Sequence, residues 1–226
     1  MIPTYDAIYH RALQRFAGDS NALERSLPLA KSAEQLIEQS DSYYLSQMTR
    51  RVFRAGMTHR VVDARWSKFE EVFDGFDLVS CAMISDDDID RLMTDAQLIR
   101  HRKKLSSIPR NAKLLMDWRT EAGSVGSFLA AWPQHRIVEL WIRMKRYGAQ
   151  LGGRSGASFL RMVGKDTFML SDDVVRELIR YGMVDKAPSS QRDWRLVQRY
   201  FVEWSEQGQK PMCQISRLLS LGDFSV

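Results

Sequence analysis

Apolar residues recur along this chain at intervals of three and four, the period of a helix that buries one face. The series opens over Ala7 to Phe16, and Gly18-Asp19 closes that segment. Ser32, with Gln35 in the capping-box position, starts a short helix through Leu36. Asp41 or Ser42 starts a longer one carrying Tyr43, Tyr44, Leu45, Met48, Val52 and Phe53 to a stop at Ala55-Gly56, with Arg50, Arg51 and Arg54 along it. Val61, Val62 and Trp66, then Phe69, Val72 and Phe73, give a helix pair ended by Asp74-Gly75. Ser85 caps a helix with Asp88 three residues on, which explains the run Asp86-Asp87-Asp88 without a metal. Asp95 is expected to begin a helix through Leu98, Ile99 and Leu105, and Pro109 suits the first turn of the next. A short helix over 125–132 ends at Pro133, and an amphipathic one over 137–147 ends in Lys145, Arg146 and Gly148.

The stretch 147–182 has a different texture. The turn Leu151-Gly152-Gly153-Arg154-Ser155-Gly156 lets the backbone approach another molecule closely, and the small and apolar residues after it put free N–H groups at a helix N-terminus. Ser171 then caps a helix that opens with Asp172 and Asp173 and buries Val174, Val175, Leu178 and Ile179. Ser190 with Asp193 caps the next helix, and 211–221 form the last. No convincing period-two run is present, so the expected class is all-α, a compact bilobed helical domain over 1–226 with a cleft between helical layers.

Composition narrows the partners. The 226 residues are 44% hydrophobic, enough for a sizeable core, and the formal charge of +5 suits a polyanion. Cys81 and Cys213 stand far apart without a CxxC, which argues against a disulfide scaffold and a structural zinc site and favours a reducing interior. No apolar run reaches membrane-spanning length, so a cytoplasmic protein is expected.

Helix, glycine hairpin, helix, then a helix opening with carboxylates resembles the helix-hairpin-helix superfamily of DNA glycosylases, with the motif over about 137–182. The segment 53–132 is more specific. FRAGMTHRVVDARWSKFEEVFDGFD, followed by ISDDDIDRLMTDAQLIRHRKKLSSIPRNAKLL, is similar to bacterial 3-methyladenine DNA glycosylase I, above all at Ile99-Arg100-His101-Arg102, Lys104 and Asn111-Ala112. Arg51 stands where that family has its base-recognising glutamate, and His59 where it has a pocket tryptophan. The family's Cys/His zinc ligands have no counterparts, so no metal and no cofactor are expected.

The resemblance implies a monomeric enzyme that cleaves the N-glycosidic bond of alkylated or otherwise modified bases in double-stranded DNA. A flipped base must be held against aromatic faces while the sugar becomes oxocarbenium-like, and a nearby carboxylate stabilises that charge. Asp173 and Asp172 are the candidate carboxylates, with Glu139 and Asp63 as weaker alternatives. Tyr43, Tyr44, Arg51, Phe53, His59, Trp66 and Trp132 are candidates for the base pocket. Gly152, Gly153, Arg154, Ser155 and Gly156 would grip a phosphate. The exchange of glutamate for Arg51 leaves a second reading, a glycosylase-like scaffold that binds DNA or a protein without excising a base.

Overall fold

The structure, a computed structural model, describes residues 2–224, and among them every regular element is helical. In chain order the α-helices are α1 (Tyr5–Leu13), α2 (Ser20–Arg25), α3 (Ala33–Ile37), α4 (Asp41–Arg54), α5 (His59–Asp63), α6 (Trp66–Val72), α7 (Leu78–Ala82) and α8 (Asp86–Leu92). They continue as α9 (Arg102–Leu105), α10 (Ser107–Ala122), α11 (Val125–Ala131), α12 (Ile137–Tyr147), α13 (Ser155–Val163), α14 (Asp172–Arg180), α15 (Gln191–Gly208) and α16 (Met212–Gly222). The all-α reading of the sequence is correct.

Most starts are fixed by a side chain that accepts an otherwise orphaned backbone N–H. The capping boxes at Ser32/Gln35, Ser85/Asp88 and Ser190/Asp193 all form. The helix α4 does start at Asp41, with Ser40 as its cap accepting from Tyr43 N, while Asp41 accepts from Val125 N at 2.8 Å, at the start of α11. One expectation fails. No helix begins at Asp95, because its carboxylate takes the N–H of Gln97 in a side-chain turn that competes with helix formation. Leu98 and Ile99 are buried in irregular backbone there, and helix resumes only at α9. The caps Asp19 and Asp77 also start α2 and α7, two short helices that apolar spacing did not reveal.

The chain divides into two compact units. The terminal unit comprises Met1–Ala30, Pro133–Leu140 and Asp166–Val226. Here α16 packs on α1, α14 and α15, and Phe168 stacks on Phe201 with ring centroids 4.3 Å apart. Pro211 supplies no side-chain cap to α16; Asp166 does so from outside, accepting from Met212 N at 3.0 Å and Cys213 N at 2.8 Å. The central unit comprises Lys31–Trp132 and Trp141–Lys165. Its α10 packs on α4, α7 and α11, while α13 lies on α4. The α3–α11 crossing needs Gly126, where a Cβ would come within 2.3 Å of the Leu36 carbonyl oxygen.

Candidate nucleic-acid interface and active-site residues

The bend after α12 is rigid at its base and exposed at its tip. Arg110 Nε donates to Tyr147 O at 3.1 Å and Nη2 to Arg146 O at 3.3 Å, closing the end of α12. Fully buried Asn111 holds Ala149 from both sides, donating from Nδ2 to its carbonyl at 3.1 Å and accepting its N–H at 2.8 Å. Gly148 lies so close to Leu151, the Met144 carbonyl and Asn111 that a Cβ would meet atoms at 2.6, 2.8 and 3.1 Å. Leu151 is buried beyond this clamp, whereas Gly152, Gly153 and Arg154 are exposed. Gly153 has φ +57°, and Ser155 N donates to Gly152 O at 3.1 Å to close the turn into α13. Ser155 is half-buried and Gly156 buried against Met144 and the Leu151 carbonyl. Sequence reading singled out Asn111 as part of a motif and missed that it fixes the bend; a buried amide on a helix face was the available signal.

In the terminal unit α14 starts as expected, with Ser171 Oγ accepting from Val174 N. Asp172 is exposed. Asp173 is half-exposed and accepts from Arg176 Nη2 at 2.5 Å and from Ser220 Oγ at 3.2 Å. Arg176 also donates to nearly buried Asp223 at 2.7 Å, and that bond, ahead of the charges of Asp173 and Asp172, raises the Arg176 pKa. The weaker carboxylate alternatives are paired: Glu139 takes Arg195 at 2.7 Å, and Asp63 takes Arg54 at 2.7 Å through both oxygens. Each is held below the usual carboxylate range, mainly by that hydrogen bond.

The aromatic candidates fall into two sets. Tyr44, Phe53 and Trp66 are sealed in the central unit, so in this structure they offer a base no face. Tyr44 donates to Leu36 O at 2.6 Å, and Trp66 Nε1 donates to Ser46 Oγ at 3.1 Å while its ring stacks on Phe69 and Phe76. Tyr43 and Trp132 are half-buried and His59 is exposed. Trp132 tilts against Phe128 at 5.4 Å, and Phe128 in turn stacks on Trp118 at 4.5 Å. Arg51 is half-buried on α4, its Nε closed off from solvent without an acceptor. The basic run 100–104 is also split: Arg100, His101, Arg102 and Lys103 face solvent, whereas Lys104 turns inward and donates to Phe53 O at 3.0 Å and Ala55 O at 2.6 Å. Among the described residues no His, Cys, Asp and Glu side chains gather into a metal-binding group.

The family model for methyladenine glycosylase matches residues 36–151, half of the chain. The chain belongs to the methyladenine glycosylase family. Solved structures agree on the fold. A tyrosine-to-phenylalanine variant of 3-methyladenine DNA glycosylase I in complex with 3-methyladenine matches with TM-score 0.51 at 23% identity, over 67% of this chain and 89% of that one. A glutamate-to-glutamine variant of the Staphylococcus aureus 3-methyladenine DNA glycosylase I gives 0.50 at 22% identity, over 66% and 89%. The 8-oxoguanine DNA glycosylase of Thermotoga maritima gives 0.57 at 15% identity, over 95% of both chains. No curated protein matches. The methyladenine glycosylase match takes in α4, the arginines at its end, Asn111 and the clamp on the bend, and it stops before the exposed tip and before α14.

Proposed function

We propose that the protein is a DNA glycosylase acting on alkylated or otherwise modified bases in double-stranded DNA, as a cytoplasmic monomer without metal or cofactor. The observation that carries this is the family match over 36–151, whose last residues form the clamped base of an exposed glycine bend. In this reading the backbone N–H groups of Gly152, Gly153 and Gly156, with the Ser155 hydroxyl and the Arg154 guanidinium, hold a phosphate at the start of α13 in a helix-hairpin-helix motif. The modified base leaves the stack, and Tyr43, Trp132, Arg51 and His59, which are not sealed in the core, are the residues proposed to meet it. The bond between the sugar and the base nitrogen breaks with its electrons departing on the base. Asp173 or Asp172 stabilises the positive charge left on the sugar, and one of them orients the water that adds there and takes its proton.

Release of free base from alkylated duplex DNA, read by chromatography, tests the proposal. Release is expected; none across a panel of lesions would overturn it. Arg51 favours the second reading, a DNA-binding scaffold without excision, because it places a cation where the family's base-recognising glutamate stands. The scaffold predicts salt-dependent DNA binding that is indifferent to Asp172→Asn and Asp173→Asn, with no turnover to lose.

A further inference from the structure

The foot of the glycine bend carries cations that no carboxylate neutralises. Arg110 and, one turn further along α10, Lys113 are exposed, as is Arg146 at the end of α12. None of the three has an ion pair among the described residues, whereas other cations of the central unit do: Lys68 is held by Glu71 at 2.7 Å, Arg54 by Asp63 at 2.7 Å, and Arg143 by Glu121. The first carboxylate along α10, Asp117, lies a further turn beyond Lys113. The basic run 100–104 is a poorer candidate, because Arg102 is paired with Asp90 and Lys104 turns inward.

Two of the three side chains are already held in place. Arg110 spends Nε and Nη2 on the carbonyls of Tyr147 and Arg146, at 3.1 and 3.3 Å, and a guanidinium has further N–H groups to offer. The Arg146 guanidinium lies 5.2 Å from the centroid of the exposed Tyr147 ring. Such anchoring lowers the entropy cost of binding an anion there. The bonds of Arg110 also change the local field. The carbonyls it covers are the negative end of α12, which left bare would repel an anion beside the bend; covered by a guanidinium, that end becomes cationic. Cations spread over two helices fit an extended polyanion, and contacts of this kind neutralise phosphates without reading bases.

We infer that Arg110, Lys113 and Arg146 form a second binding surface for the phosphate backbone of duplex DNA, adjoining the bend and separate from the phosphate grip of residues 152–156. This rests on the DNA-binding part of the reading above.

Fluorescence anisotropy of the full chain with an undamaged labelled duplex, over a range of salt concentrations, tests it. Lys113→Gln and Arg146→Gln remove no bond of the clamp that Asn111 makes on Ala149. Each should weaken binding about three- to tenfold and reduce the slope of log affinity against log salt by about one, and the two together should reduce it by about two. Arg110→Gln should lose more than either, because it also bares the α12 carbonyls. Lys68→Gln removes the same charge from a lysine that Glu71 already neutralises, and should bind as wild type does. Wild-type affinity and slope in Lys113→Gln and Arg146→Gln, or losses no larger than that of Lys68→Gln, would overturn the inference. So would tighter binding to a single-stranded RNA of the same length, with the losses of the variants confined to it. Wild type that shows no salt-dependent duplex binding at all would remove the DNA reading as well, which tells the two failures apart.

Discussion

Glu177 on α14 is 2% exposed and is met by Arg11 at 3.0 Å and Arg180 at 2.7 Å, and Asp223, 3% exposed, is met by Arg176 at 2.6 Å. At the end of α4 the balance is reversed: Arg50 and Arg54 share one carboxylate, and Arg51 has none. Both places crowd charge against a helix, and only one is internally complete. The pairs around α14 tie α1, α14 and the chain after α16 together, so they belong to the terminal unit's own stability. The α4 end has more arginines than carboxylates, and the outer nitrogens of Arg51 are left to solvent.

Substitutions on each side should therefore move stability in opposite directions. Glu177→Ala should cost about 2–3 kcal/mol, less than a fully buried pair because both arginines keep part of their surface in water. Denaturant midpoints would check it, and a cost under 0.5 kcal/mol would break the comparison. Asn111→Ala should come next, at about 2 kcal/mol, because it strips a donor and an acceptor from the buried end of the bend; it should also weaken DNA binding, read by fluorescence anisotropy. Gly153→Ala, with open space around it but φ +57°, should cost about 1 kcal/mol and leave the fold intact. Arg51→Met should be neutral or stabilising by up to about 1 kcal/mol, since it removes a half-buried charge that has no side-chain partner to lose. A destabilisation of Arg51→Met as large as that of Glu177→Ala would show the two regions to be alike.

An effect confined to alkaline pH concerns Cys81, whose thiol burial pushes up to about 12. An unfolded cysteine ionises near pH 8.5, so this group's contribution is fully present below that pH and is lost as pH rises toward 12. Cys81→Ala should flatten the alkaline fall in stability between about pH 8.5 and 10, by no more than roughly 1.4 kcal/mol per pH unit. Equal slopes for the variant and wild type would contradict this.

Local chemistry was readable from the chain, and distant chemistry was not. Ser32 with Gln35 and Ser190 with Asp193 announce helix starts because cap and partner lie three residues apart. The exposed tip at Gly152-Gly153 followed from glycine alone. Asn111 reaches Ala149 across 38 positions, and Lys104 reaches Phe53 across 51, distances at which spacing carries no signal. Helical periodicity could not tell Trp66, enclosed by Phe69 and Phe76, from half-buried Trp132, because both sit on the apolar side of their segments. Lys104 follows Arg100, His101, Arg102 and Lys103 in the sequence, yet it turns inward to cap α4.

The most direct measurement is the single-turnover rate of base release by the double variant Asp172→Asn/Asp173→Asn, with DNA affinity determined on the same duplex. The account predicts affinity within about threefold of wild type and release slowed at least a hundredfold, the scale of losing a charge that stabilises the transition state. Release at the wild-type rate would contradict it.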